Sequence, residues 1–288
     1  MVASPFEYLR ADSYQSAVHA LARYGAGAKI LAGGQSLVPL LSQRHLRPAA
    51  LIDIGEADDR GPSSSDGTLH LPGLTRQRAL AESPVVRQNC PLLAAAAEYI
   101  GNIRVRTRGT LAGSLAHALP AAELCVASLA LGGRVSLLGP AGGRVVPAED
   151  FFAGQGTTAC APDEVITDVT IPPAPRSGWS FLETSLRAQD SAVVAVAALI
   201  RLRPGEDRVA DVRLALGGVA DRPVLVLPAL SGATVDDALA RELAATVAAS
   251  VSPPTDVRAS AAYRKRLLAV LARRALRQAF DRARGIEQ

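Results

Sequence analysis

The run Ile30-Leu31-Ala32-Gly33-Gly34-Gln35-Ser36-Leu37-Val38-Pro39 sets two glycines and two small polar side chains directly behind a short apolar segment. A turn of that composition leaves backbone N–H groups facing outward, with no Cβ in the way of a bulky anion. A diphosphate suits such a surface, although a Gly-Gly turn after a strand also serves simply to redirect the chain. A second small-residue stretch, Thr107-Arg108-Gly109-Thr110-Leu111-Ala112-Gly113-Ser114-Leu115-Ala116-His117, follows about seventy positions later and runs toward a helix beginning near Pro120. Two such segments in one domain can hold opposite sides of one elongated ligand.

Competing chemistries find less support. His19, His45, His70 and His117 lack metal-ligand spacing. Only His117 lies in a motif, and a surface or structural role accounts for each. Cys90, Cys125 and Cys160 are widely separated and form no Cys-x-x-Cys pair. They read as buried reduced thiols, so no zinc site or iron–sulfur cluster is expected within this chain, and any iron–sulfur cluster must sit in another polypeptide. Neither Gly-x-Gly-x-x-Gly after a strand nor a Walker-type Gly-Lys-Ser/Thr occurs, so the nicotinamide and P-loop readings lack their signatures.

The 288 residues suffice for two or three packed units, and 49% hydrophobic with 20% charged residues fits a globular chain. The longest apolar run, 192–200, is too short to span a bilayer, and no secretory signal is visible, so the default expectation is cytoplasmic. A net charge of +4 with 4% aromatic residues argues against nucleic-acid binding. The basic surplus of Arg264, Lys265, Arg266, Arg273, Arg274, Arg277, Arg282 and Arg284 interleaves with Leu267, Leu268, Val270, Leu271 and Leu276 at helical spacing. That pattern predicts an amphipathic helix with a solvated cationic face.

Ser13 should cap a helix over 13–24 that stops at Gly25. A strand over 28–32, the glycine turn, a short helix over 37–42 and a strand over 50–54 predict a small βαβ unit. Residues 61–67 read as a linker or hairpin tip. A larger unit follows, with a strand over 68–71, helices over 76–81, 91–100 and 121–131, and strands over 134–138, 143–146 and 165–171. Pro172-Pro173-Ala174-Pro175 marks the clearest domain boundary. Strands over 179–187, 193–203 and 209–219 and helices over 235–250 and 257–283 complete the chain.

The wording of the two segments resembles the FAD-binding medium subunit of molybdenum hydroxylases, the group that contains carbon monoxide dehydrogenase and xanthine dehydrogenase. The resemblance extends through Pro5-Phe6-Glu7-Tyr8, Leu51-Ile52-Asp53-Ile54, 105–109, 147–152, Leu216-Gly217-Gly218-Val219-Ala220 and Ala259-Ser260-Ala261-Ala262-Tyr263-Arg264, in family order. It implies an α+β fold with a two-part FAD-binding domain over 1–175, a small βαβ unit over about 1–58 and a mixed α/β unit over 59–175. A C-terminal domain of antiparallel sheet and helices over 176–288 follows. It implies an oxidoreductase subunit that receives electrons from an iron–sulfur small subunit and passes them to an external acceptor. Substrate is then oxidised on a molybdopterin large subunit.

Carried over by position, the resemblance assigns Ala32, Gly33, Gly34, Gln35, Ser36 and Leu37 to the flavin diphosphate. It assigns Thr110, Leu111, Ala112, Gly113 and Ser114 to the ribityl and isoalloxazine side. Glu123 resembles the family's carboxylate near the flavin, and Ile166 sits where an apolar residue faces the ring. Ile100 and Asp53 are weaker candidates, Asp53 being equally suited to anchoring a turn. The chain also departs from the family pattern. Ala112 adds a methyl that is expected to crowd the ligand or alter the backbone, Leu119 stands where a carboxylate is common, and Glu183 lies where a lysine is often found. These departures leave open an alternative, a stand-alone protein on the same fold with a non-redox small-molecule or cyclase-like role. A purely structural assembly subunit is a third.

Overall fold

A computed structural model describes residues 3–286. Near the N-terminus, Glu7–Arg10, Ala50–Asp53 and Ala28–Leu31 form a three-stranded parallel sheet in that order. Glu7–Arg10, which periodicity did not reveal as a strand, adds an edge to the expected βαβ unit. The helix Tyr14–Tyr24 buries Ala17, Val18 and Leu21 on this sheet's side. Ser13 caps it by accepting from the Ser16 amide, and the Ser16 side chain returns a bond to the Ser13 amide. Ser13→Ala should therefore cost about 1 kcal/mol, read as a lower denaturation midpoint in urea.

The second sheet has five antiparallel strands in the order Ser63–Ser65, Thr68–Pro72, Val165–Ile171, Arg134–Gly139, Gly142–Pro147. The turn between the first two holds Asp66 and Gly67 at φ +49° and +74°. An Asp-Gly pair with positive φ at both residues is the compact hairpin connection that matches strand twist. The helices Pro91–Tyr99 and Glu123–Ala130 pack their apolar faces into the same core as this sheet. The short helices Pro84–Asn89, Ile103–Arg106 and Ala148–Phe151 were among those not expected from the sequence. Each is six residues or fewer, too short for hydrophobic periodicity to register.

The third sheet runs Ser177–Ser185, Ala192–Leu202, Val209–Gly217, Val224–Val226, antiparallel throughout. Ala192–Leu202 is buried on both faces apart from Arg201. Its alternate residues divide two cores. Ala195, Ala197 and Leu199 join the core beneath the helices Pro91–Tyr99 and Glu123–Ala130, whereas Val194, Val196, Ala198 and Ile200 pack against the helices Asp237–Ser250 and Ala261–Ala283. This explains why the segment reads as a continuous apolar run rather than an alternating one.

The C-terminal arginines are largely spent inside the fold. Arg264 is 3% exposed and donates to the carbonyls of Val193 and Gly218 and to Asp256. Arg273 forks onto Asp237, Arg282 stacks over the Trp179 ring, and Arg284 meets Asp207. Among the described residues no helix is long and apolar enough to cross a membrane.

Candidate cofactor site

The chain leaves the strand Ala28–Leu31, passes Ala32 and the buried Gly33, and turns at Gly34 with φ +72° into the helix Leu37–Ser42. The Val38 amide donates to the Gly34 carbonyl, and Gln35 Nε2 donates to the Gly33 carbonyl at 3.3 Å. Among the described residues, the amides of Gly33, Gly34, Gln35 and Ser36 have no acceptor. Four successive amides without a protein acceptor are left for water or for a ligand that accepts hydrogen bonds.

Against this turn lies the second segment. A Cβ built on Gly33 would fall 2.1 Å from the Arg108 carbonyl oxygen and 3.0 Å from the Gly109 Cα. The two stretches, 75 positions apart from Gly33 to Arg108, are thus in backbone contact. No side chain separates them at this point.

The second segment differs from the expected bend. Leu111–His117 is a short helix, with Thr110 as its N-cap accepting from the Gly113 amide at 3.1 Å. The Leu111 amide donates to Thr75 and the Ala112 amide to Gly73, each through the backbone carbonyl, and the Ser114 amide closes a turn on Thr110. Its amides are therefore consumed within the protein, and what it can offer a ligand is side-chain polarity and shape. Ser114 Oγ accepts from Gln77 Nε2 at 2.8 Å, which leaves the Ser114 proton free to donate. The methyl of Ala112 does not project from the segment. Ala112 is 5% exposed in the domain core, with its Cβ against Gly73, so the expected crowding does not arise.

The stretch 73–77 holds this segment in place and is the part that sequence reasoning missed. Besides those two carbonyls, the Gln77 amide donates to Gly109, and Arg76 pairs with Thr110 as an isolated antiparallel bridge. The buried side chains of Thr75 and Gln77 each leave an oxygen without a partner, Oγ1 and Oε1. A Pro72-Gly73 turn was the available signal, but its partners lie more than thirty residues away in the chain.

Asp53 anchors a turn, with Oδ1 accepting from the Gly55 amide at 2.8 Å and Oδ2 from the Tyr8 hydroxyl. Ile100 and Ile166 are 8% and 4% exposed and belong to the core of the second unit. The carbonyl of Ile166 faces Gly73, so its backbone, not its side chain, borders the 73–77 stretch. Glu123 opens the helix Glu123–Ala130 and is buried, which raises its carboxyl above the ordinary range. Glu183, on the strand Ser177–Ser185, is raised to about 8 by burial first and by the charge of Glu123 second. Its Oε2 is buried without a partner, so at neutral pH this carboxyl holds its proton. His117 is half-buried and its imidazole is pushed below the ordinary value by burial. A separate cavity of about 710 Å³ shares no lining residue with the two segments, and its Arg201 and Arg213 are already paired with Asp211 and Glu149.

The free amides, the glycine-to-carbonyl contact and the hydroxyls of Ser36, Thr110 and Ser114 fit a diphosphate-bearing cofactor such as FAD. Residues 4–174 match the family described as FAD binding domain in molybdopterin dehydrogenase, and residues 179–279 match the CO dehydrogenase flavoprotein C-terminal domain. The chain belongs to the FAD-binding medium-subunit family of molybdopterin dehydrogenases. Two relatives of this medium subunit show how far the likeness runs. The 6-hydroxypseudooxynicotine dehydrogenase complex subunit alpha of Paenarthrobacter nicotinovorans is 36% identical, over 98% of this chain and 97% of its own length. The glyceraldehyde dehydrogenase medium chain of Sulfolobus acidocaldarius is 32% identical over 95% and 98%. The solved carbon monoxide dehydrogenase of Hydrogenophaga pseudoflava superposes with a TM-score of 0.94 at 32% identity, covering 98% of this chain and 99% of that one. The mixed α+β fold with antiparallel sheets and helices is therefore that of a flavin-dependent dehydrogenase subunit, and FAD is its cofactor.

Proposed function

We propose that this medium subunit works inside a molybdenum hydroxylase complex. It would take electrons from iron–sulfur clusters of a small subunit and deliver them to an external acceptor, with substrate oxidised on a molybdopterin large subunit. The backbone contact between Gly33 and Arg108, with free amides beside it, carries this reading. The family match over both parts of the chain supports it further. The chemistry that FAD supplies when bound is the exchange of single electrons on one side and pairs on the other.

In this proposal Ala32, Gly33, Gly34, Gln35, Ser36 and Leu37 hold the diphosphate through the N–H row and the Ser36 hydroxyl. Thr110, Leu111, Ala112, Gly113 and Ser114 shape the ribityl and ring side, with Ser114 Oγ as the donor aimed by Gln77. Ile100 and Ile166 back this wall from the core. Glu123 and the protonated Glu183 supply a neutral-to-acidic flank where a lysine is common in relatives. We further propose the division into 1–175 and 176–288, with the first part split near 58, supported by the separate three-, five- and four-stranded sheets and by the two matched ranges. The three free thiols, Cys90 and Cys125 buried and Cys160 partly so, fit a reducing cytoplasm.

The test is purification of the chain expressed with its neighbouring reading frames. A yellow complex with an iron–sulfur subunit and a molybdopterin subunit is expected, its flavin absorbance bleaching when the complex's substrate is added. A colourless chain that purifies alone would favour the stand-alone, non-redox reading.

A further inference from the structure

Several shielded arginines of this protein are paired with a carboxylate. Arg213 meets Glu149, Arg264 meets Asp256 and Arg273 meets Asp237. Arg76 is half-buried and, among the described residues, faces no carboxylate within ion-pair distance. Its Nη1 donates to the Arg108 carbonyl at 2.5 Å, and this is the same oxygen against which Gly33 is packed. The guanidinium is therefore fixed at the junction of the two segments, beside the free amides of residues 33–36.

Among the described residues no carboxylate forms an ion pair with it there. Arg108 is its charged neighbour, and burial first and Arg108 second push the Arg76 guanidinium below its ordinary value. The charge of Asp53 acts the other way, but its oxygens accept from the Gly55 amide and the Tyr8 hydroxyl and form no ion pair with Arg76. A desolvated cation placed next to a like charge is unfavourable unless a counter-charge completes the site. The remaining guanidinium donors form a planar fork, whose natural partner is a pair of phosphate oxygens.

We propose that Arg76 is a specificity-determining residue of this subunit, which recognises the anionic diphosphate of FAD together with the amides of residues 33–36. This rests on the reading of that cleft as the FAD site. Arg108 contributes its carbonyl, which holds the guanidinium in place, and a second positive charge that raises the local potential. The proposal separates two sources of affinity, the phosphates held by charge and the flavin ring held by shape.

The experiment is equilibrium binding to the apo chain, by quenching of ligand fluorescence, of FAD and of riboflavin at low and high salt. Parent, Arg76→Gln and Arg76→Lys are compared, with thermal melts as the folding control. The parent is expected to bind FAD less tightly as salt rises. Arg76→Gln should weaken FAD binding by roughly ten- to thirtyfold at low salt and flatten the salt dependence, the loss typical of one charged hydrogen-bonding partner. Arg76→Lys should restore part of the loss, and riboflavin affinity should not change in either variant. If Arg76→Gln binds FAD as the parent does, with the same salt dependence, Arg76 is not the diphosphate anchor, although the cleft remains a flavin site. An equal loss for riboflavin and FAD would also overturn the proposal, since it would place the effect on the ring. A folded parent that binds no FAD would remove both the anchor and the reading beneath it.

Discussion

Gly33→Val is expected to reduce FAD affinity at least about 100-fold while leaving the far-ultraviolet circular dichroism spectrum intact. The new Cβ would sit 2.1 Å from the Arg108 oxygen, 2.8 Å from the Arg108 carbonyl carbon and 3.0 Å from the Gly109 Cα. All three are backbone atoms, so no rotamer change relieves the overlap. The 108–112 stretch cannot yield either, because the Gln77, Leu111 and Ala112 amides tie it to residues 73–77. The turn at 32–36 must therefore lift away, and with it the amides of 33–36 that have no protein acceptor. Losing three or more hydrogen bonds from these amides to FAD, at roughly 1 kcal/mol each, accounts for the expected factor. The secondary structure should survive because the parallel strand Ala28–Leu31 ends before the displaced residues. Titration of the apo variant with FAD is the measurement, and parent-like affinity would mean the two segments do not act together.

Glu183→Gln should raise the thermal midpoint of the apo chain in mild alkali and leave it unchanged in acid. Glu183 is held up at about 8 by burial and by Glu123. An unfolded glutamate titrates near about 4.3, so between that pH and about 8 the folded chain keeps a proton that the unfolded chain has released. Stability contributed by the protonated carboxyl is thus complete in acid and falls as pH rises, reaching its full loss above the folded value. The gap corresponds to roughly 5 kcal/mol at most, and partial access of water reduces it to about 2–3. Glutamine stays neutral throughout. Its midpoint should exceed the parent's by roughly 5–10 °C at pH near 8.5, and the two should converge near pH 4.5. Equal midpoints at both pH values would show that this carboxyl is freely hydrated.

The framework that carries the site was legible because its cues are local. Ser13 with Ser16 gives a cap, Pro39 sits in the first turn of Leu37–Ser42, and the prolines at 172, 173 and 175 separate the second sheet from the third. The glycine pair of 33–34 was legible for the same reason, since a tight turn with a free amide row needs only its own residues. What failed to show was non-local. The Leu111–His117 helix hides in a sequence of small residues without a 3.6-residue apolar stripe, and Thr110 caps it without a glutamate three positions on to complete the usual signature. The importance of Gly73, Thr75, Arg76 and Gln77 depends on partners at 108–114 and could not be read from their own neighbourhood. Ala112 shows the opposite error, because a methyl that looks obstructive in a motif lies against Gly73 in the core.

The most direct test of the central claim, that the turn at 32–36 and the segment beginning at Thr110 close around one FAD, is calorimetric titration of the folded apo chain with FAD. One saturable site per chain is predicted, with heat of binding lost in Gly33→Val. A chain that melts cooperatively yet takes up no FAD at any concentration tried, or one whose binding is untouched by that substitution, would contradict it.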